Sequence, residues 1–400
     1  MQSARCLLVA AFYSVLLAAL LSGCVTTQTP FGTHPSSAGG ASGLSSAPPK
    51  QIALLLPQQG ELARAGQAVR DGFLSAYYDQ SKDGAKPSVK EYDVSSGTDV
   101  MAVYQRAISD GADFIIGPLD KKDVQAINAS GHIKVTTLAL NYSDINNRST
   151  AHLYQFGLSP QDEANQVAAK ALQDGHRNAL LIVPAGNWGN AVATALQQRF
   201  QSDGGRIVTT VVYSQGQDLP QQIKNALQYN ETRIKAKPGQ GAWHHSKIEG
   251  SRRQDIDVIL MSATPTIARQ VRPLLRFYYA GDIPIYATSQ VYSGIPHPSA
   301  DRDVDGIKFC DIPWVFDQSD VLSNVKQQIA SRWPNSYQRN LRLYALGVDA
   351  YRLTNNLPRL AAQPGTTISG ATGQLYLDDK QHVLRHLPWA QFRGGVPQLI

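Results

Sequence analysis

From Gln51 onward, short apolar runs alternate with amphipathic segments of 10–20 residues, and this alternation limits the fold more than any single motif. Ile52-Ala53-Leu54-Leu55-Leu56 is apolar at every position and is stopped by Pro57, the pattern of a strand covered on both faces. Leu62, Ala65, Val69, Phe73 and Ala76 then recur at helical spacing over 61–79. The same reading gives strands over Ser88–Tyr92, Phe114–Ile116 and Lys134–Leu138, with helices over Val100–Ser109 and Lys121–Asn128. A second series follows. Its helices cover Pro160–Gln173, Gly189–Ser202, Leu219–Tyr229 and Pro265–Tyr279; its strands cover Ala179–Val183, Arg206–Tyr213, Ile256–Met261 and Pro284–Ala287. Strands separated by helices build βαβ units and parallel sheets. The sequence therefore predicts an α/β chain of two lobes, each a mainly parallel sheet flanked by helices. Residues 51–155 supply the first part of lobe one and 156–290 supply lobe two. Residues 291–400 complete both through an extended crossing at Gly306–Val315, helices at Val321–Arg332 and Arg339–Thr354, and strands at Gly373–Leu377 and Val383–Leu387.

The N-terminus carries a different signal. Arg5 precedes a 16-residue apolar run from Cys6 to Leu21, and Leu21-Ser22-Gly23-Cys24 follows. A basic residue, a short apolar core and small residues before a cut make a secretory signal, here over residues 1–23. The run is short for a membrane span, which takes about 20 residues. The last four residues resemble a bacterial lipobox, which makes Cys24 the acylated lipid anchor and the new N-terminus. Several acyl chains at ~0.8 kcal/mol per buried CH2 hold far more firmly than one. An Asp after that cysteine favours the inner membrane in enterobacteria, so Val25 points to the outer membrane. Residues 24–50 are rich in Ser, Thr, Gly, Ala and Pro and read as a flexible tether.

Removing the signal leaves 377 residues, more than one typical core holds. The net charge of +6 is mild and no dense basic stripe interleaves with aromatics, so no nucleic acid is expected as a partner. Of the three cysteines only Cys310 stays in the folded part, which rules out an intrachain disulfide there. Asn230–Gln254 breaks the alternation with six Lys/Arg, a Lys237-Pro238-Gly239-Gln240-Gly241 string and His244-His245. It reads as a mobile basic loop, either a solvated insertion or a contact surface for glycan or a partner.

Chemical motifs are absent or incomplete. Asp301-Arg302-Asp303-Val304-Asp305-Gly306 copies half an EF-hand loop, but its twelfth position is Ile312 instead of Glu, so a turn with solvated acids is expected. Ser323-Asn324-Val325-Lys326 fits Ser-x-x-Lys without the accompanying Lys-Thr-Gly strand and falls on a helix surface. Gly370-Ala371-Thr372-Gly373 is a turn into a strand, not a phosphate cradle. Neither a metal nor a cofactor is expected, and no catalytic residue is assigned.

Several strings share an order and spacing: Ile52–Pro57, Gly117-Pro118-Leu119, Leu138–Asn141, Phe156–Ala164, Tyr286–Ser289, Tyr344–Ala350 and Gly370–Gly373. Over roughly residues 50–390 they resemble the C-terminal domain of the LpoA/LppC family, lipoprotein activators of class A penicillin-binding proteins. The resemblance implies a type I periplasmic-binding-protein-like fold and a non-enzymatic regulator on the periplasmic side of the outer membrane. Its implied partner is a peptidoglycan synthase, with peptidoglycan itself a further candidate. Better-known members place a large helical domain before this one, whereas here the lipobox and the fold are joined by the tether alone.

Gly117-Pro118 follows a strand and opens toward a helix, at the sheet edge where ligand clefts form. With Asn141 and Ser289, which follow other strands, it makes a candidate cleft. Tyr154, Phe156, Ile312 and Pro313 are expected in segments crossing between lobes, where hinges occur. The alternative to a synthase activator is a lipid-anchored receptor for a small solute; a hydrolase with an unrecognised carboxylate pair has no motif in its favour. Cys24→Ala is expected to abolish acylation and release the protein from membranes, a result that lipid labelling and fractionation would check.

Overall fold

Two aspartates start the two sheets in the same way. The backbone amides of Lys50 and Gln51 donate to the Asp113 carboxylate at 2.9–3.1 Å, and those of Arg177 and Asn178 donate to Asp257 at 2.9–3.1 Å. Each carboxylate accepts bonds that would otherwise be unmet at the head of a buried strand. The computed structural model describes residues 44, 47–79, 86–143, 150–234, 247–316 and 322–400. The signal, Cys24, most of the tether, and the Lys237–Gly241 and His244-His245 strings lie outside the described residues.

The first half runs β1 (Gln51–Leu56), α1 (Ala63–Asp79), β2 (Ser88–Asp93), α2 (Val100–Ser109), β3 (Phe114–Ile116), α3 (Lys121–Ser130), β4 (Thr136–Ala139) and β5 (Leu153–Phe156). The second runs α4 (Pro160–Gln173), β6 (Asn178–Pro184), α5 (Asn187–Ser202), β7 (Arg206–Tyr213), α6 (Leu219–Ala226), β8 (Asn230–Ile234), β9 (Lys247–Ser251), β10 (Val258–Met261), α7 (Pro265–Phe277) and β11 (Ile285–Ala287). Then come β12 (Lys308–Cys310), α8 (Ser323–Arg332), α9 (Pro334–Ala362), β13 (Ile368–Ser369), β14 (Gln374–Leu377), β15 (His382–His386), β16 (Trp389–Arg393) and β17 (Val396–Leu399).

One sheet has the order β13-β14-β15-β5-β4-β3-β1-β2 and the other β17-β16-β12-β11-β10-β6-β7. Pairing is parallel from β2 through β15 in the first and from β7 through β12 in the second; antiparallel strands close one edge of each.

β1 is apolar throughout because both of its faces are covered. Ile52, Leu54 and Leu56 pack with Val69 and Phe73 of α1, while Ala53 and Leu55 pack with Tyr104 and Val124 on the other side. The cluster holding Ile52 and Leu54 continues through Tyr344, Val167 and Leu196 to Leu181, so one apolar core runs from the first sheet into the second. Two glycines let α1 and α9 touch backbone to backbone. A Cβ on Gly72 would stand 2.2 Å from the Tyr344 carbonyl, and one on Gly347 would stand 2.0 Å from that of Val69.

Several expectations need correction. The Gly306–Val315 crossing is extended only at β12, which pairs with β11 and β16 and so belongs to the second sheet. The helix expected to reach Tyr229 ends at Ala226, and Gln228 turns left-handed at φ 49°. α9 is longer than expected and bends at Asn340, whose φ of −126° is non-helical. The ends of the expected basic loop pair as the β8–β9 hairpin. Tyr154 and Phe156 both belong to β5, which is bonded between β4 and β15, Phe156 as its last residue, and the chain leaves the sheet only at Gly157. Of the acids of the half EF-hand, Asp303 is exposed as expected, but Asp301 is buried and pairs with Arg269 at 2.7 Å, and half-buried Asp305 accepts from the Gly394 and Gly395 amides.

Gly347→Ala is expected to cost about 1–3 kcal/mol by forcing α1 and α9 apart. An unchanged melting temperature would contradict the close crossing.

Candidate functional site at the lobe junction

Three short segments carry the chain between the sheets: 157–159, 311–316 and 387–388. The second is fixed by charge. Asp311 is fully buried and takes Arg342 of α9 in a two-pronged pair, with Nε at 2.9 Å and Nη2 on the other oxygen. The same Nη2 donates to the carbonyls of Tyr292 at 3.0 Å and Ser289 at 3.3 Å. Arg342 thus ties the long helix over the first sheet to the loop after β11 in the second. Burial alone would lower its pKa, but the Asp311 charge outweighs this and holds the guanidinium above its ordinary value. The Asp311 amide donates to the Pro388 carbonyl at 3.3 Å, which joins the second crossing to the third.

The third crossing is latched by Gln166 of α4. Its Nε2 donates to the Arg385 carbonyl at 3.0 Å and its Oε1 accepts from the Leu387 amide at 2.9 Å. This crossing had no signal in the sequence, because Leu387-Pro388 resembles any turn. The second crossing is also held to the Gly370–Gly373 turn, where the Trp314 amide donates to the Ala371 carbonyl. That turn wraps a carboxylate. Asp349, fully buried on α9, accepts from the amides of Ala371 and Thr372 and the Thr372 hydroxyl at 2.7–2.8 Å. A Cβ on Gly370 would come within 2.6 Å of Asp349 Oδ2.

The candidate cleft residues separate into two groups. Gly117 and Pro118 are buried: the Gly117 amide donates to Leu138, the Leu140 amide donates to Pro118, and a Cβ on Gly117 would stand 2.1 Å from the Leu55 carbonyl. Asn141 donates to the Leu119 carbonyl and accepts from the Tyr142 amide. These three therefore brace the ends of β3 and β4. Ser289 belongs to the other sheet, where its amide and hydroxyl donate to Glu163 of α4 at 3.1 and 2.7 Å. The side chains that would grip a solute are bound to the protein itself. Ile312 is buried in the second crossing and Pro313 opens its 3-10 turn.

Burial raises the pKa of Glu163, with nearby Arg385 opposing. Burial also pushes the Cys310 thiol up, which leaves it protonated and unreactive. Among the described residues no group of His, Cys, Asp and Glu could hold a metal ion, and no helix is long and apolar enough to cross a membrane.

A family model described as "LppC putative lipoprotein" matches residues 34–395. The chain belongs to the LppC family. Membership makes it a lipoprotein of the cell envelope. Penicillin-binding protein activator LpoA of Photobacterium profundum is 28% identical over 346 residues, covering 85% of this LppC chain and 55% of the relative. LpoA of Vibrio vulnificus is 26% identical, covering 86% and 57%. This chain thus spans little more than half the length of these curated relatives. Among solved structures, the C-domain of LpoA (YraM) from Haemophilus influenzae, described as a regulator of PBP1A, superposes with a TM-score of 0.69 at 28% identity. The match covers 88% of this chain and 99% of that one. The leucine-binding protein LivK of Thermotoga maritima, at 16% identity and a TM-score of 0.52, shows the periplasmic-binding-protein-like fold alone. In this LppC chain the strings Tyr344–Ala350 and Gly370–Gly373 are two halves of one contact, the Asp349 carboxylate and the turn around it.

Glu163→Gln keeps the acceptor for Ser289 and removes the titration. Because the folded pKa lies above the ordinary value of 4.5, the folded protein holds the proton longer, and stability falls as pH rises through that interval. The native protein should therefore lose stability relative to Glu163→Gln as pH rises above 4.5. Denaturant melts with equal pH slopes would contradict this.

Proposed function

We propose that this chain is a non-enzymatic lipoprotein of the outer membrane, anchored through Cys24 on the periplasmic side, that binds and activates a class A penicillin-binding protein. The observation that carries the reading is the match to the Haemophilus influenzae LpoA C-domain over nearly all of that domain. The committed side chains of Asn141 and Ser289 support a docking body over a solute receptor. Activation works by differential affinity: the lobes bind the active arrangement of the synthase more tightly than the inactive one. A tenfold gain needs only ~1.4 kcal/mol of such preference. The crossings at Ile312-Pro313 and after Phe156 are the hinges about which the lobes adjust to the partner.

Purified full chain added to the cognate synthase should co-purify with it and raise glycan polymerisation or crosslinking severalfold. Neither binding nor a rate change would reject the proposal, and so would turnover of substrate by this chain alone.

A further inference from the structure

A groove of about 510 Å³ lies between α4 and the β14–β15 hairpin, beside the third crossing. Asp162, Lys170, Arg199, Tyr376, Arg385 and Trp389 are among its walls, so both halves of the chain contribute. None of Gly117, Pro118, Asn141 or Ser289 lines it. Arg385 is the unusual member. Its side chain is only 2% exposed, and Nε, Nη1 and Nη2 are all buried without a hydrogen-bond partner.

An arginine keeps its charge in a protein and presents five donors, so such a guanidinium calls for an acceptor. Its neighbours do not supply one. Glu163 faces Ser289, and Oδ2 of Asp162 is itself buried and unpartnered. Burial pushes the pKa of both carboxyls up, against the pull of Arg385, so their own charge is weakened where it would be needed. The other two cations of the wall are already answered, Lys170 by Asp174 at 2.6 Å and Arg199 by Asp203 at 2.9 Å. Gln166 holds the backbone on both sides of Arg385, which presets the position of the fork.

We propose that this groove binds a carboxylate-bearing ligand, with the planar fork of Arg385 as its counter-charge. Two parallel N–H···O bonds fit that geometry. The guanidinium nitrogens lie behind the groove surface, so side chains of the wall move aside as the ligand enters. A free dicarboxylate and the carboxyl end of a peptide share this chemistry. Because the groove is lined from both halves, its occupant sets how they meet at the third crossing. The proposal does not depend on the synthase reading.

The test is isothermal titration of the full acylated chain in detergent with glutarate, with N-acetyl-alanine and with N-acetyl-alaninamide as the uncharged match. At least one acid should bind, and the amide should bind about tenfold or more weakly. Glutarate alone binding assigns a free dicarboxylate; N-acetyl-alanine alone binding assigns a peptide end. Arg385→Gln should abolish binding, and Arg385→Lys, which keeps charge without the fork, should weaken it about tenfold. Ala169→Trp fills the groove, leaves Arg385 in place and should also abolish binding, which decides the matter if the Arg385 variants fail to fold. No binding of either acid, equal binding of acid and amide, or wild-type affinity in Ala169→Trp would overturn the proposal. Synthase co-purification on the same samples separates this outcome from that of the activator role.

Discussion

The Arg342–Asp311 pair is the contact on which the junction depends. Three features of the fold meet there: the long helix over the first sheet, the second crossing, and the loop after β11 in the second sheet. Asp311 is sealed from water, so its charge is tolerable only with the guanidinium in place. Removing one member of such a buried pair typically costs about 3–5 kcal/mol, because the other charge is left alone. The crossing could have been built from apolar residues with similar stability. An ion pair adds direction: it fixes which carbonyls Arg342 reaches, and so the angle at which helix and loop meet.

Around that pair the apolar core is continuous between the sheets. Trp314 and Ile312 of the second crossing pack in the same cluster as Leu54 of β1 and Leu181 of β6. A receptor that opens and closes on a solute needs a wetted gap between its lobes. Here the edges of β3 and β4 are stitched by Pro118 and Asn141, and Ser289 is turned inward to Glu163. The architecture of a solute binder is retained while the polar groups that would serve a solute stabilise the body.

The regular elements were legible where local chemistry alone decides them. The bounds expected for Val100–Ser109 and Pro160–Gln173 match to the residue, and the structure shows local reasons for them: Asp99 and Ser159 cap these helices and Pro160 opens the second. Gln51–Leu56 announced itself as an unbroken apolar run. What failed depends on distant pairing. β5 carries no alternation, and only its position between β4 and β15 makes it a strand. β16 and β17 sit at an edge whose polar residues look like loop. At the junction, Arg342, Glu163 and Arg385 are single charged residues in ordinary helices and strands, with no spacing to mark them. Their meaning comes from burial, which sequence spacing does not report. The string Gly370–Gly373 was correctly read as a turn, but its partner Asp349 lies on a helix 21 residues earlier.

That turn has one more consequence. Consecutive amides pointing into a hollow are how many proteins seize phosphate. Here the hollow holds the molecule's own carboxylate, delivered by α9 and walled by Gly370. The protein's own carboxyl thus fills the hollow, and these amides are used up inside the fold. Withdrawing Asp349 would strand two buried amides and the Thr372 hydroxyl without an acceptor, at about 1–3 kcal/mol for each buried group left unmet, so the end of the first sheet is held by a single side chain of the long helix.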